Sequence, residues 1–577
     1  MTEIRDLALI GDRRTAAIVD RRGSVVWYCP RRFDQPSLLA SLLDEAAGGS
    51  WSIEAADLQP QSRCYSGDSA ILRTTLVAPA GALTVTDWMP LGEDLPAGIC
   101  RRFTESPFPL TVRLAPAPDY ARESVRLART ANGVCINGCQ WLYASGTLAI
   151  DGQSVLLEVP PGQPSWMVLV DSPLDSVSGS DLDHWHGCTV ASWRDISSRI
   201  TYRGPFEPQV AQSLRALRLL THRELGGVIA AATTSLPEVA GGDRNYDYRY
   251  VWMRDASMIV SALVRAGSNG PDEQRFLDFI CSALHENEDK PLLPPFLSLD
   301  SGPAQGVSCL DLAGYQDSRP VRIGNDANDQ LQLDGFANVL LAAKLIYGRH
   351  GTREHWETSR RVADFLVDNW HRPDYGVWEE HEPRQYTTAK VVASCGLRYI
   401  ADFAEDESMA DRWRQVSKEI ERYVHSHCLT RDGAYAVYAG SDAVDVSAAL
   451  FPTWGFCEPD SEAMLETIRL LESRYRRGHL YWRHLEELPR FREGAFLAGS
   501  IWVAQYWVLR GDLERARDIL EEILGYANDL GYFAEEADPE TGAMLGNFPQ
   551  AFVHASFIGA VIDYRDALKQ SGSGTAG

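Results

Sequence analysis

The sequence predicts a multidomain β + α protein, in which a β-sandwich is followed by a large array of helices. Three observations lead to this class. The chain has 577 residues, more than one ordinary hydrophobic core can serve. The first 190 residues or so contain short β-rich runs with turn residues between them. From about Phe206 onward, apolar residues recur at the spacing of amphipathic helices.

The N-terminal part, residues 1–190, is predicted to be the sandwich. Ala16–Asp20 and Ser24–Tyr28 flank Arg21-Arg22-Gly23, which is typical of a hairpin turn. Further β-rich runs, separated by Gly, Pro, Asp and Asn, are expected at 71–77, 83–88, 110–114, 133–136, 154–159 and 165–170.

A helical linker over 191–220 is expected to lead into a helical domain over 221–570. Helices are predicted at 210–222, 256–266, 273–284, 330–347, 356–370, 388–403, 409–424, 461–471, 495–509, 513–526 and 551–567. Residues 571–577 are rich in Gly and Ser, which is typical of a flexible tail. The periodicity predicts an array of helices but does not say how the array closes.

Composition narrows the possible partners. A formal net charge of −24 disfavours binding to nucleic acid and to anionic membranes, but it would not affect an uncharged substrate. No apolar run approaches the roughly 18 residues of a membrane span, and no signal peptide is evident. The 11 cysteines offer no zinc-like spacing, so a cytoplasmic protein with reduced thiols and no metal is expected.

Two carboxylate-bearing segments carry the predicted chemistry. Glu379 lies in Gly376-Val377-Trp378-Glu379-Glu380, and Glu535 lies 156 positions later (535 − 379) in Ala534-Glu535-Glu536. Upstream, aromatic residues alternate with charged ones over Asn245–Asp255. Hydrolysis of a glycosidic bond requires one carboxylic acid that protonates the leaving oxygen and one carboxylate that activates water or attacks the sugar. The sequence therefore indicates a glycosidase.

These three segments, in this order, resemble glycoside hydrolase family 15, which includes glucoamylases, glucodextranases and one class of trehalases. The resemblance is dense from about Gly241 to Asp563. At the N-terminus, Ile10-Gly11-Asp12, Val25–Pro30 and Arg32–Ser37 resemble the leading domain of bacterial members. The resemblance implies an (α/α)6 toroid for the helical domain and an inverting reaction that releases β-glucose from the non-reducing end of α-glucosides.

The resemblance also implies a role for each carboxylate. The Glu directly after Trp is the family's general acid, which corresponds to Glu379, and the first Glu of the later segment is its general base, which corresponds to Glu535. Glu536 is the nearest rival for the base. Desolvation beside Trp378 would raise the pKa of Glu379 and keep its proton in place at neutral pH.

Substrate contacts are implied for residues in two of the three segments and in one further loop: Tyr248, Trp252, Arg254, Asp255, Trp378, Glu380 and Arg490. Two alternatives remain open at this point. Asp255 is also placed to cap the helix that follows it, and Arg492 competes with Arg490.

The expected function is that of an exo-acting, glucoamylase-like hydrolase that needs no cofactor. Trehalase activity is the main alternative, because the two activities share the fold and both carboxylates. An inverting phosphorylase is less expected since it needs no second carboxylate, and a non-catalytic sugar-binding protein is expected to lose one. Thr387-Thr388-Ala389-Lys390 and Ser394-Cys395-Gly396 depart from the family pattern beside the site, which leaves the linkage open.

Overall fold

The computed structural model describes residues 2–286, 293–483 and 493–573. Its N-terminal part contains fifteen strands: β1 Ala8–Gly11, β2 Ala16–Val19, β3 Val25–Tyr28, β4 Ser50–Glu54, β5 Gln59–Tyr65, β6 Leu72–Ala78, β7 Gly81–Trp88, β8 Gly98–Phe103, β9 Leu110–Ala115, β10 Leu127–Arg129, β11 Val134–Ile136, β12 Gln140–Ala144, β13 Leu148–Asp151, β14 Ser154–Val159 and β15 Ser165–Val170.

The strands form two antiparallel sheets that share one hydrophobic core. One sheet has the order β1-β2-β3-β4-β9-β14-β13, and the other has the order β10-β11-β12-β15-β8-β7-β6-β5. Along β9, buried residues alternate with half-exposed ones, which is the pattern of a strand with one face on a core. Trp51 and Val112 of the first sheet pack in one cluster with Val85 and Met167 of the second. The predicted β-sandwich is confirmed.

The helices follow the sandwich along the chain: α1 Gly179–Ser198, α2 Glu207–Leu220, α3 Met253–Arg265, α4 Asp272–Glu286, α5 Leu333–His350, α6 Trp356–Asn369, α7 Thr387–Ile400, α8 Glu407–His427, α9 Glu462–Leu470, α10 Leu497–Leu509, α11 Leu513–Leu524 and α12 Ala551–Ser573. In the described parts of the connections lie nine short strands: β16 Val251–Trp252, β17 Phe296–Leu297, β18 Ser308–Leu310, β19 Val321–Ile323, β20 Arg476–Arg477, β21 Leu480–Tyr481, β22 Ala495–Phe496, β23 Glu536–Ala537 and β24 Met544–Leu545.

Helix α1 lies against the outer face of the eight-stranded sheet. Its buried residues Leu182 and Trp185 pack with Trp88 and Tyr143 of that sheet. The side chain of Ser178 caps the helix, so α1 begins twelve residues before the expected start of the helical linker at 191.

The remaining helices form a closed double ring. Helix α3 packs on α5, α5 on α7, α10 on α12, and α12 on α3. A short 3-10 segment, Val446–Leu450, lies between α7 and α10. It packs on α10, and its Ser447 Oγ is 2.7 Å from Thr388 Oγ of α7. These six elements are the inner ring, while α2, α4, α6, α8, α9 and α11 each pack outside one of them. The expected toroid is therefore present.

The sandwich and the toroid are joined through buried polar contacts. Trp27 Nε1 of β3 donates a hydrogen bond of 2.9 Å to the carbonyl of Ala232. Arg249, 2% exposed, donates to the Tyr120 hydroxyl at 2.7 Å and to the Gln35 carbonyl at 3.2 Å. Its charge is balanced by Asp247 at 2.6 Å. The N-terminal domain is thus fixed to the segment that carries the aromatic and charged motif.

Among the described residues, none of the helices is both long enough and apolar enough to cross a bilayer.

Candidate active site

A cavity of about 610 Å3 lies where the inner helices begin. It is bordered by the start of α3, by the turn that precedes α7, by the residue before α10 and by the start of α12. Eight of the nine residues predicted for the site line it: Tyr248, Trp252, Arg254, Asp255, Trp378, Glu379, Glu380 and Glu535. The ninth, Arg490, lies outside the described residues, as does its rival Arg492.

Glu379 lies on a turn that is closed at its base. The backbones of Asp374 and Arg384 exchange two hydrogen bonds of 2.8 Å. Gly376, at φ 67°, passes so close to Tyr386 that a Cβ would lie 2.8 Å from its ring. Glu379 itself has φ 58°, a left-handed conformation that is unusual for a glutamate. The turn directs its carboxylate into the cavity and toward Trp252.

The surroundings of Glu379 favour retention of its proton. Burial raises the pKa of the carboxyl, while the charge of Arg254 and a hydrogen bond from Trp252 Nε1 act in the opposite direction without cancelling the rise. The direction of this shift favours the protonated form that a general acid must have. The role of Glu379 as the acid stays a prediction.

Glu535 is held by contacts with α10 and with the aromatic motif. Its backbone carbonyl accepts a 3.2 Å hydrogen bond from the Leu497 amide at the start of α10. The Tyr248 hydroxyl donates to its Oε1 at 2.7 Å. Gly546, at φ 76°, is so close that a Cβ would lie 2.6 Å from Glu535 Oε2, which explains why a glycine follows Leu545.

The two carboxylates therefore have neighbouring aromatic partners. Tyr248 contacts Glu535, Trp252 contacts Glu379, and the rings of Tyr248 and Trp252 are 5.5 Å apart in an edge-to-face arrangement. This geometry gives a structural reason for the aromatic residues at positions 248 and 252 of the motif. Each aromatic side chain orients one of the two groups predicted to be catalytic.

The pKa of Glu535 is raised to about 8, chiefly by burial and then by the nearby charge of Glu238. Arg483 and the Tyr248 hydroxyl oppose the rise. A general base must be ionised to accept a proton from water. If Glu535 is the base, the free enzyme gains activity only as the pH approaches this value.

Glu238 belongs to a buried cluster of acids that the sequence did not reveal. Carboxylate oxygens of Glu238, Glu493 and Glu536 lie within 4.8 Å of one another. Two guanidinium groups face them: Arg244 is 2.7 Å from Glu238, and Arg483 is 3.1 Å from Glu238 and also pairs with Glu493. Because these cations already neutralise part of the charge, the cluster has the character of an ion-pair network more than that of a metal site.

Arg254 and Asp255 form a pair on the first turn of α3. Arg254 Nε is 2.9 Å from Asp255 Oδ1, and its NH1 donates to the Val377 carbonyl at 2.7 Å. The helix begins at Met253 and makes no side-chain cap hydrogen bond, so the alternative role of Asp255 as a helix cap is wrong. The pair instead links α3 to the turn that carries Glu379.

Trp378 and Glu380 flank Glu379 in the cavity wall. Trp378 Nε1 donates to Asp445 Oδ2, which fixes the plane of the indole. Its ring meets Phe496 edge-on, with centroids 5.0 Å apart, so one edge of the site is a rigid aromatic surface.

Further lining residues come from the hairpin of β18 and β19 and from the loop that follows it. Arg322, Asn325 and Asp326 line this part of the cavity. The N-terminal loop 31–37 does not line the cavity. Phe33 is 2% exposed and meets the His222 ring edge-on, while Arg32 pairs with Asp300 at 3.1 Å.

Comparisons with known proteins identify the family of the chain. The model of "Glycosyl hydrolases family 15" matches residues 204–518 and 508–562, and that of "Trehalase-like, N-terminal" matches residues 1–148. The chain is 31% identical to trehalase 1 of Sulfolobus acidocaldarius, over 97% of this chain and 98% of that protein. It is 28% identical to the trehalase of Thermoplasma volcanium, over 97% and 93% of the two chains.

A solved structure shares the whole architecture. A bacterial glucoamylase complexed with acarbose superposes with a TM-score of 0.71 at 12% identity, covering 99% of this chain and 96% of the other. The fold therefore extends across both domains. With a family model that covers most of the chain and a relative at 31% identity, the protein belongs to glycoside hydrolase family 15.

Proposed function

We propose that this glycoside hydrolase is a trehalase, which cleaves the α,α-1,1 bond between two glucose units with inversion. The observation that carries the proposal is the similarity along the full chain to relatives named trehalase, N-terminal domain included. This favours the trehalase alternative over the glucoamylase-like function that the sequence first indicated.

In this reaction Glu379 donates its proton to the glycosidic oxygen as the bond from that oxygen to the anomeric carbon breaks. Glu535 takes a proton from a water, and the water oxygen bonds to the same carbon from the opposite face. The attacked glucose leaves as the β-anomer, and the glucose that retains the glycosidic oxygen leaves as the α-anomer. Water is the sole co-reactant.

Several contacts support these roles. Trp252 and Tyr248 orient the two carboxylates, and Arg254 and Asp255 offer charged hydrogen-bonding groups for the hydroxyls of the first glucose. The wall of Arg322, Asn325 and Asp326 offers further polar groups for the second glucose.

A panel of α-linked glucose disaccharides tests the proposal. Trehalose, maltose and isomaltose are each incubated with the enzyme, and glucose release is measured over time. Trehalose should have the highest kcat/KM, and Glu379→Gln should abolish its hydrolysis. Faster cleavage of maltose or isomaltose would refute the trehalase assignment, and a product that appears as glucose 1-phosphate only with added phosphate would identify a phosphorylase.

A further inference from the structure

A second cavity, of about 290 Å3, lies along the inner ring but away from the catalytic cavity. On helix α3, Arg254 and Asp255 line the catalytic cavity, whereas the residues that line the second cavity begin at Met258 and end at Arg265. At 1.5 Å per residue, the second cavity therefore follows the helix for about 10 Å beyond the catalytic one. Helices α10 and α12 likewise contribute residues from farther along their length, including Gln505 and Asp563.

Trp502 separates the two cavities. It lines the second cavity, is 2% exposed, and donates from Nε1 to Ser556 Oγ at 3.0 Å. Its ring stacks on Trp378, with centroids 6.0 Å apart, and meets Phe552 edge-on at 5.4 Å. Because Trp378 and Phe552 line the catalytic cavity, the two spaces share a wall of packed aromatic rings. A molecule in the second cavity would therefore occupy a distinct site.

The second cavity has a local excess of positive charge. Its lining includes Arg265, Lys344 and Asp563. Arg265 and Gln505 both bind the Asp563 carboxylate. Lys344 Nζ lies 4.1 Å from the centroid of the Tyr399 ring, and within the described chain no carboxylate forms a salt bridge with it. Two cations thus face one carboxylate, in a chain whose formal charge is −24.

The size and walls of the cavity define what it could hold. About 290 Å3 equals roughly ten waters at about 30 Å3 each, and it is near the lower limit of small-molecule sites. Trp454 and Tyr399 add aromatic surface beside the charged groups. An uncompensated lysine beside an aromatic wall favours a ligand with one negative group and a compact body.

We propose that this cavity binds a small organic anion, whose carboxylate or phosphate pairs with Lys344 and whose body packs against Trp454 and Trp502. The proposal does not depend on the trehalase assignment, since it concerns a site on the other side of the Trp502 wall. The alternative is a cavity that holds only water, in which case no added ligand would raise the melting temperature of the protein.

The test compares anionic probes with neutral counterparts of the same shape. Benzoate is paired with benzyl alcohol, and phenyl phosphate with phenol, all at matched ionic strength, so that no probe resembles the sugar expected in the catalytic cavity. A ligand that binds only the folded state raises the melting temperature in a concentration-dependent manner. At least one anionic probe should raise it, while its neutral counterpart should not.

Three variants locate the binding. Lys344→Gln should weaken the affinity about tenfold or more, the loss expected when one charge-assisted hydrogen bond is removed. Lys344→Arg keeps the charge and should bind the anion more tightly than Lys344→Gln does. Lys418→Gln makes the same charge change on the exposed face of α8 and should bind like the wild type. No response to either anion, an equal response to the neutral counterparts, or unchanged binding in Lys344→Gln would overturn the proposal.

Discussion

Replacing Tyr248 by phenylalanine should move the acidic limb of the pH profile to higher pH. The Tyr248 hydroxyl donates a 2.7 Å hydrogen bond to Glu535 Oε1, and this bond favours the ionised carboxylate. Without it, the pKa of Glu535 rises further above its ordinary value. A base that ionises at higher pH leaves the enzyme inactive over a wider acidic range.

The size of the shift follows from the strength of the bond. A hydrogen bond to a charged group contributes about 1.5–3 kcal/mol. Since one pKa unit corresponds to about 1.36 kcal/mol, the acidic limb should move upward by about 1–2 units. The ring of Tyr248 still packs on Trp252 in this variant, so the cavity wall is preserved.

The measurement is kcat/KM for trehalose as a function of pH, which reports ionisations of the free enzyme. Tyr246→Phe is a matched control, because Tyr246 also lines the cavity but forms no hydrogen bond with Glu535 in the described chain. Glu238→Gln should move the acidic limb of the profile to lower pH, since the negative charge of Glu238 raises the pKa of Glu535. An acidic limb that stays in place, or moves downward, in Tyr248→Phe would refute Glu535 as the base.

Three further predictions follow from the site and the domain contacts. Glu379→Gln and Glu535→Gln should each lower kcat by at least about 10²–10⁴-fold while leaving the circular dichroism spectrum unchanged. If activity is lost only in Glu380→Gln or Glu536→Gln, the acid or the base is the neighbouring glutamate instead. The pKa of Glu535 is raised from 4.5 to about 8, so the wild type loses stability as the pH rises through that window. Glu535→Gln does not ionise and should therefore gain stability relative to the wild type from pH 4.5 to 8, by up to about 1.4 kcal/mol per pH unit. Melting curves that show a constant difference at every pH would contradict this. Phe33→Ala should lower the free energy of unfolding by about 3–5 kcal/mol, because the ring is buried between the domains. KM for trehalose should stay constant. A changed KM with an unchanged melting temperature would place the loop 31–37 at the catalytic cavity instead.

The sequence predicted the long helices of the double ring, but it missed one short segment of the inner ring and part of the first helix. All eleven helical runs from residue 210 onward correspond to α2–α12, with ends that differ by a few residues. The inner-ring segment Val446–Leu450 was missed because five residues in a 3-10 turn are too few to show a period. Helix α1 was partly assigned to the sandwich, although Leu182, Trp185, Thr189 and Trp193 share one buried face.

The sequence located those cavity-lining residues that belong to recognisable motifs. Tyr248, Trp252, Arg254 and Asp255 come from one motif, and the aromatic spacing that marked it also orients both carboxylates. The acid cluster had no such signal, because Glu238, Arg483, Glu493 and Glu536 come from separate parts of the chain. Only the folded ring brings these groups together, so their effect on the pKa of Glu535 could not be read from the sequence.

Proton NMR of the first products from trehalose tests the central claim most directly. Spectra are recorded before mutarotation mixes the anomers, with Glu379→Gln as the inactive control. An inverting trehalase with Glu379 as acid and Glu535 as base should release α- and β-glucose in equal amounts from the first time point. Release of α-glucose alone would contradict the single displacement, and trehalose that stays intact while other α-glucosides are cleaved would contradict the trehalase assignment.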